Sequence, residues 1–251
     1  MTAPAVTLAH QPMTNQPAST NNVLDPVSAI NTANDTNTRD IITYDYLAQI
    51  RAQQEAAPLP VPLVAVYCGS RVGHAPIYAD SARALGEALV AHGYGLVYGG
   101  AVIGCMGAVA DGVIDHGGVA VGVIPEFMLG REVAHAGLTR LHLTDTMHTR
   151  KAIMAEYASA FITLPGGLGT LEEIMEIATW RQLYQHDKPM LILNINGFYD
   201  RLIEHLHFTV EQGFMQPADL TRLIMCNTVD DAIAALPPIV KMDDSLDVHK
   251  I

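Results

Sequence analysis

The chain has 251 residues, 49% of them hydrophobic, with a formal net charge of -12, which suits one sizeable globular domain. That excess of carboxylates excludes a general electrostatic grip on nucleic acid, because a phosphate backbone demands a positive footprint. A small anion held by backbone amides and one or two local cations stays compatible with it. Residues 1–57 are rich in Ala, Thr, Asn, Gln and Pro and bury too little apolar surface to offset ordering entropy. They are expected to be a disordered tail carrying at most one short helix over 41–54, and 241–251 a second tail, around a domain spanning 58–240. From Leu63 the pattern alternates. Apolar runs at Leu63–Cys68, Gly95–Tyr98, Val119–Ile124, Leu138–Leu143, Ala160–Leu164, Met190–Leu193 and Leu223–Met225 read as strands. Helical spacing fills Pro76–His92, the stretch up to His116, Thr146–Tyr157, Leu171–Tyr184, Tyr199–Gln212 and Val229–Leu236. Strands that are continuous apolar runs, alternating with helices, predict a Rossmann-like, doubly wound, open parallel sheet with helices on both faces. Ligands of such sheets sit beyond the carboxyl ends of the strands.

Cys68, Cys105 and Cys226 form no CxxC pair, and the 11 histidines show no HExxH spacing. No disulfide framework, metal or cofactor is expected, and a reducing, cytoplasmic setting fits. No basic stretch followed by an apolar core stands at the N-terminus, and no run approaches the roughly 18 apolar residues of a membrane span. Neither a signal peptide nor a membrane partner is therefore expected.

Glycine-rich loops follow three of the strands. Pro165-Gly166-Gly167-Leu168-Gly169-Thr170-Leu171-Glu172-Glu173 leaves a strand and opens a helix. Glycines let a ligand approach the backbone, and the free amides and dipole of a helix N-terminus favour an anion. No Lys follows the last glycine and the spacing is not GxGxxG, so neither a nucleotide P-loop nor a dinucleotide fingerprint is present. Thr170 and Glu173 also have the spacing of a capping box, which explains them without any ligand. Gly99-Gly100, Gly104 and Gly107 form a second cluster that serves either a ligand or close helix packing. Ser70 and Arg71, after the first strand, can touch a phosphate or base. Arg150 and Lys151 are adjacent cations in a chain with only 14 Lys plus Arg. Neighbours on a helix point in different directions, so at most one of them faces a given ligand. Glu173 and Glu176 share a face. A carboxylate there can activate water or stabilise a cationic sugar.

The segment Met147-His148-Thr149-Arg150-Lys151 followed by the PGGxGTxxE pattern of Pro165–Glu173 resembles the LONELY GUY family of cytokinin-activating phosphoribohydrolases, some of which carry the label lysine decarboxylase. CGSRxG at Cys68–Gly73, VYGG at Val97–Gly100, Trp180–Leu183 and His186–Pro189 extend the resemblance over about residues 63–237. It implies a homodimer that hydrolyses the N-glycosidic bond of a cytokinin riboside 5′-monophosphate or AMP without a redox cofactor. It further implies that Arg150 and Glu173 are the catalytic pair. Gly167, Gly169 and Thr170, with Gly166 and Leu168 in the same loop, would hold the phosphate. Glu132, Met147, Lys151 and Thr179 would contact substrate, and Ser70, Arg71, Gly100 and Glu176 are further candidates. Ala101 and Cys105 depart from the family pattern and leave the shape of the second glycine loop open. The rivals are a non-catalytic nucleotide carrier on the same fold, a pyridoxal phosphate decarboxylase needing a Schiff-base lysine, and a dehydrogenase lacking its glycine fingerprint.

Overall fold

The computed structural model describes residues 58–129 and 134–239. The expected tails at 1–57 and 241–251 lie outside them, as does Glu132. Seven strands form one parallel sheet in the order β4-β3-β2-β1-β5-β6-β7. They are β1 (Leu63–Tyr67), β2 (Gly95–Tyr98), β3 (Ala120–Pro125), β4 (Arg140–Thr144), β5 (Ala158–Thr163), β6 (Met190–Leu193) and β7 (Leu223–Cys226). The expected doubly wound architecture is the observed one. The strands β1, β2, β3 and β6 are buried along their whole length, as a sheet covered on both faces requires.

Helices α1 (Ile77–Ala91), α2 (Gly104–Ile114) and α7 (Val229–Ala234) cover one face. Helices α3 (Met147–Tyr157), α4 (Leu168–Gln182) and α5 (Asp200–Glu211) cover the other. A short α6 (Pro217–Thr221) and 3-10 turns at Glu126–Met128 and Ile195–Gly197 were not foreseen, being too short for periodicity to register. The chain winds outward from β1 to β4 and then returns to place β5 on the other side of β1. The crevice at the carboxyl ends of β1 and β5 is therefore the topological switch point, where ligands of open α/β sheets bind.

Both boundaries of α4 differ from the sequence reading for physical reasons. Helix α4 starts at Leu168, with Gly167 as its N-cap and no side-chain cap. Thr170 is thus the third helical residue, and the capping box expected of Thr170 and Glu173 does not form. The same helix ends at Gln182, short of Tyr184, whose backbone turns left-handed (φ 61°) and cannot continue it.

Candidate active site

The loops after β1 and β5 are joined at the switch point by a hydrogen bond from Gly69 N to the Pro165 carbonyl, 3.1 Å. Gly166 is demanded by this junction. A Cβ there would lie 2.1 Å from Thr170 Oγ1 and 2.9 Å from Gly69 N. Gly167 and Gly169 differ from it. A Cβ on either meets nothing within 4 Å, and neither has a positive φ. The fold itself does not require glycine at these two positions, whereas close approach by a ligand does. The first bond inside α4 runs from Leu171 N to Gly167 O, which leaves the amides of Leu168, Gly169 and Thr170 without a helical partner. The loop opens on a cavity of about 580 Å³ whose lining includes Ser70, Arg71, Tyr78, Gly167 and Phe198. Arg71 is exposed and brings a cation to it. Tyr78 and Phe198 meet edge to face at 5.7 Å and supply an aromatic wall that the sequence reading missed. Phe198 follows an unforeseen 3-10 turn, so no periodic signal marked it.

The second glycine cluster is explained by packing. A Cβ at Gly104 would be 2.3 Å from the Ser70 carbonyl carbon, and one at Gly107 2.0 Å from Val102 O. Gly100 accepts from His135 N at 2.9 Å, and Ala101 bridges to Ala134. Gly99 has another purpose. A Cβ on it would sit 2.3 Å from Arg150 Nη2, so its bareness makes room for that guanidinium.

Arg150 stands on the first turn of α3, a helix started by Thr146, whose hydroxyl accepts from Thr149 N at 3.1 Å. The arginine is buried, and Nη1 donates to Met128 Sδ at 3.6 Å and Met147 Sδ at 3.9 Å. Thioethers are weak acceptors, and Arg150 Nε has no hydrogen-bond partner among the described residues. A buried guanidinium with so little compensation is costly for the fold alone and suited to an incoming anion. Lys151 points elsewhere, as expected of a neighbour on a helix. Its Nζ is ion-paired with Glu172 and, at 2.8 Å, with Glu176. Burial pulls the ammonium pKa down, but hydrogen bonds and charge from the two carboxylates outweigh it, and the net shift is upward.

Glu173 is half-buried on α4. Its field and that of Arg150 meet at the end of β1. Burial pushes the Tyr67 phenol well above its ordinary value, with Glu173 and Glu176 pushing the same way and Arg150 opposing them. Burial, Cys105 and Glu173 likewise raise the Cys68 thiol, again opposed by Arg150. Tyr67, with a buried hydroxyl that has no hydrogen-bond partner among the described residues, was also missed. Its one signal was a polar atom closing an otherwise apolar strand. Arg150 and Glu173 do not line the 580 Å³ cavity. Thr179 is exposed, with its hydroxyl turned back on Met175 O at 2.7 Å. It lies roughly 16 Å along α4 from the glycine turn, at 1.5 Å per residue.

The lysines give a decarboxylase little to use. Lys151 is held protonated, whereas a Schiff base starts from a free amine. Lys188 Nζ donates to Ala155 O at 2.7 Å, beside the amino end of β5. Lys241 and Lys250 lie outside the described residues. The paired motifs around these residues are structural: Arg181 Nη1 donates to Lys188 O at 2.8 Å, and His186 Nε2 lies 2.9 Å from Ile177 O.

Comparison with known proteins adds names to this geometry. The family model described as "possible lysine decarboxylase" matches residues 106–236. A cytokinin riboside 5′-monophosphate phosphoribohydrolase of Rhodococcoides fascians is 45% identical over 183 residues, covering 72% of this chain and 92% of that protein. A protein of the same name from Arabidopsis thaliana is 40% identical over 173 residues, covering 69% and 80%. Among solved structures, a molybdenum cofactor binding protein of Rippkaea orientalis superposes with a TM-score of 0.54 at 20% identity. It covers 70% of this chain and 96% of that one. The molybdenum cofactor carrier protein of Chlamydomonas reinhardtii gives 0.53 at 24%, covering 70% and 95%. At such identities the structural likeness shows the fold alone.

Proposed function

The chain belongs to the LONELY GUY family of cytokinin riboside 5′-monophosphate phosphoribohydrolases, and we propose that it hydrolyses the N-glycosidic bond of a purine nucleoside 5′-monophosphate at the β1–β5 crevice. The substrate class is a cytokinin riboside 5′-monophosphate or AMP, and the products are free base and ribose 5-phosphate. The observation that carries the reading is the bare turn at Gly167 and Gly169, glycines the fold does not need, at the uncapped start of a 15-residue helix. That is a place for a phosphate.

In this reading the phosphate sits on the amides of Gly166 to Thr170. Arg150 fixes the phosphosugar through planar contacts, with Met147 packed against its guanidinium. As the bond from C1′ to the base nitrogen lengthens, positive charge grows on the ribose. The Glu173 carboxylate stabilises that charge and takes the proton of the water attacking C1′, while the base departs with the bonding electron pair and picks up a proton from solvent to leave as the neutral free base. Ser70 and Arg71 border the same crevice, whereas Gly100 packs against Ile124 and Gly122. Glu132 and Thr179 belong to the substrate-contacting set implied by the family. Thr179 is too far along α4 to reach the glycine turn of its own chain. A homodimer in which each copy lends its Thr179 to the other accounts for that distance, and exposed Leu183 and Tyr184 beside it suit burial between copies. No helix among the described residues is long and apolar enough to cross a membrane. The three cysteines are free, which accords with a cytoplasmic setting.

The test is product analysis with AMP, isopentenyladenosine 5′-monophosphate and GMP side by side. Equimolar free base and ribose 5-phosphate from at least one of them is the expected result. Tight nucleotide binding without release of ribose 5-phosphate would instead assign the protein to the carriers that share its fold.

A further inference from the structure

Two hydroxyls stand at the last positions of β1 and β5, and the proposed mechanism gives neither a task. Tyr67 and Thr163 are register partners on these neighbouring strands. Register partners of a parallel pair leave the same face of the sheet, here the face covered by α3 and α4, where Tyr67 belongs to the core. Both residues are buried, at 1% and 0% exposure. Neither Tyr67 Oη nor Thr163 Oγ1 has a hydrogen-bond partner among the described residues. The Tyr67 ring stacks on Phe161, with 6.1 Å between centroids and 11° between planes, and this fixes where its hydroxyl points. Burial, and then the charges of Glu173 and Glu176, keep the phenol protonated against the opposing pull of Arg150.

A buried hydroxyl without a partner forfeits its hydrogen bonds to water, so such groups are uncommon. Two of them side by side call for one shared explanation. Packing does not supply it, since Phe and Val fill the same space without a polar atom. Their surroundings do. Arg150 Nε, a buried donor also without a partner among the described residues, belongs to the guanidinium that fills the space beside Gly99 at the end of β2, next to β1. Adjacent strands lie about 4.8 Å apart, and a hydrogen bond between oxygens spans about 2.8 Å. One water can therefore reach both hydroxyls.

We propose that Tyr67 and Thr163 form a water-binding site and hold the molecule that attacks C1′. The inference rests on the hydrolase reading of the crevice and adds to it the residues that orient the nucleophile. A water offers two protons and two lone pairs. One proton goes to Thr163 Oγ1 as a hydrogen bond, and the other faces the Glu173 carboxylate. Tyr67 donates to one lone pair, which leaves the second for C1′. In the step itself that pair forms the bond to C1′ and the proton passes to Glu173. The bond from C1′ to the base nitrogen breaks with its electrons on the base. Tyr67 and Thr163 keep their own protons throughout. Holding the nucleophile in one orientation removes an entropic part of the barrier.

The experiment compares Tyr67→Phe, Thr163→Val and the double variant in the full chain, each change removing an oxygen while keeping the shape. The substrate is whichever of AMP, isopentenyladenosine 5′-monophosphate and GMP is hydrolysed fastest. Each single variant is expected to lower kcat about tenfold, the scale of one hydrogen bond to a reacting group, with KM within about threefold. The double variant should lose less than the product of the two, because both hydroxyls hold one molecule. Wild-type kcat in both single variants would overturn the proposal, as would a double loss equal to the product.

Nucleophile choice is a readout that a merely structural role would not move. In water–methanol mixtures the wild type should release ribose 5-phosphate. Thr163→Ala leaves room for a methyl group beside Tyr67 and should form methyl riboside 5-phosphate as well. The same product ratio in both proteins would sink the idea. A crystal structure of the wild type keeps the two readings apart and decides if a variant does not fold. An ordered water within about 3.2 Å of both hydroxyls is expected whether or not any nucleotide is cleaved, and a structure with other buried waters but none there would remove the site. No ribose 5-phosphate from any of the three nucleotides would instead remove the hydrolase reading and leave the crystallographic test standing.

Discussion

The two faces of the sheet are packed on different principles. On the face of α1, α2 and α7 the helices approach through small residues. A Cβ at Gly86 would lie 2.3 Å from Val109 O, and one at Gly112 2.2 Å from Arg83 O. The buried residues of α1, α2 and α7 are all apolar or glycine. On the other face, α3 buries Arg150 and Lys151 beside Met154, and α4 buries Thr170 beside Ile174 and Ile177. Burying charge is a poor way to gain stability, since desolvation offsets much of the Coulomb attraction. The first face is built like a scaffold. The second carries buried polar groups that the fold alone does not explain, and they gather at the carboxyl ends of the strands.

The largest test of this contrast is Glu173→Gln. If the second face is the working one, turnover of AMP should fall by about 10³-fold, the scale of losing a positioned carboxylate, while the melting temperature stays near wild type. Wild-type release of adenine by the purified variant would remove Glu173 from the mechanism.

Next comes a buried ionisable group on the working face but away from the site. His142 is buried on β4 and packs at 5.2 Å on Tyr157. Burial first, and then the Arg140 charge, lower its pKa from 6.5 to about 4. The unfolded chain therefore binds a proton that the folded one refuses. The stabilisation is fully present above pH 6.5 and is lost as pH falls through 4, amounting to at most about 3 kcal/mol. Denaturant unfolding between pH 7 and 4 should show this slope, and His142→Phe should flatten it. An unchanged slope in the variant would mean that other groups govern acid stability.

The scaffold face is probed by Gly112→Ala. The added methyl meets backbone, which cannot rotate away, so α1 and α2 must part. Overpacking of this kind costs about 2 kcal/mol, read as a lower denaturation midpoint. Turnover per folded molecule should be unchanged. A loss of turnover without a loss of stability would break the division between the faces.

This division bears on what could be read in advance. The strands and their order class were legible because each is an apolar run with turn residues at its end, and Met190–Leu193 is placed to the residue. The glycine turn was legible as a dense local signal. The directions of side chains were not. Nothing in the sequence says that Lys151 faces Glu172 and Glu176, because that depends on how α3 rolls against α4. Nor could Tyr78 and Phe198 be paired, since they come from segments more than 100 residues apart. The same limit blurred the glycines. Gly104 and Gly167 look alike in sequence, yet one is required by packing and the other faces open space.

The smallest expected effect separates the faces most sharply, because it compares two threonines near helix starts. Thr228, on the scaffold face, makes a complete capping box with α7. Its hydroxyl accepts from Asp231 N at 3.1 Å, and Asp231 Oδ2 accepts from Thr228 N at 3.0 Å. Thr170, which has the capping spacing in sequence, caps nothing. Its hydroxyl is turned toward Gly166 under the bare turn. Thr228→Ala should therefore cost about 1 kcal/mol of stability, the usual value of an N-cap, with no change in turnover. Thr170→Ala should lower turnover of AMP about tenfold, the scale of one hydrogen bond to a charged group, through the loop that holds the phosphate. Denaturation midpoints and kcat/KM measured on the same two preparations decide the matter. If Thr170→Ala lowers only stability, the loop is a structural turn, and the working face begins deeper, at Arg150 and Glu173.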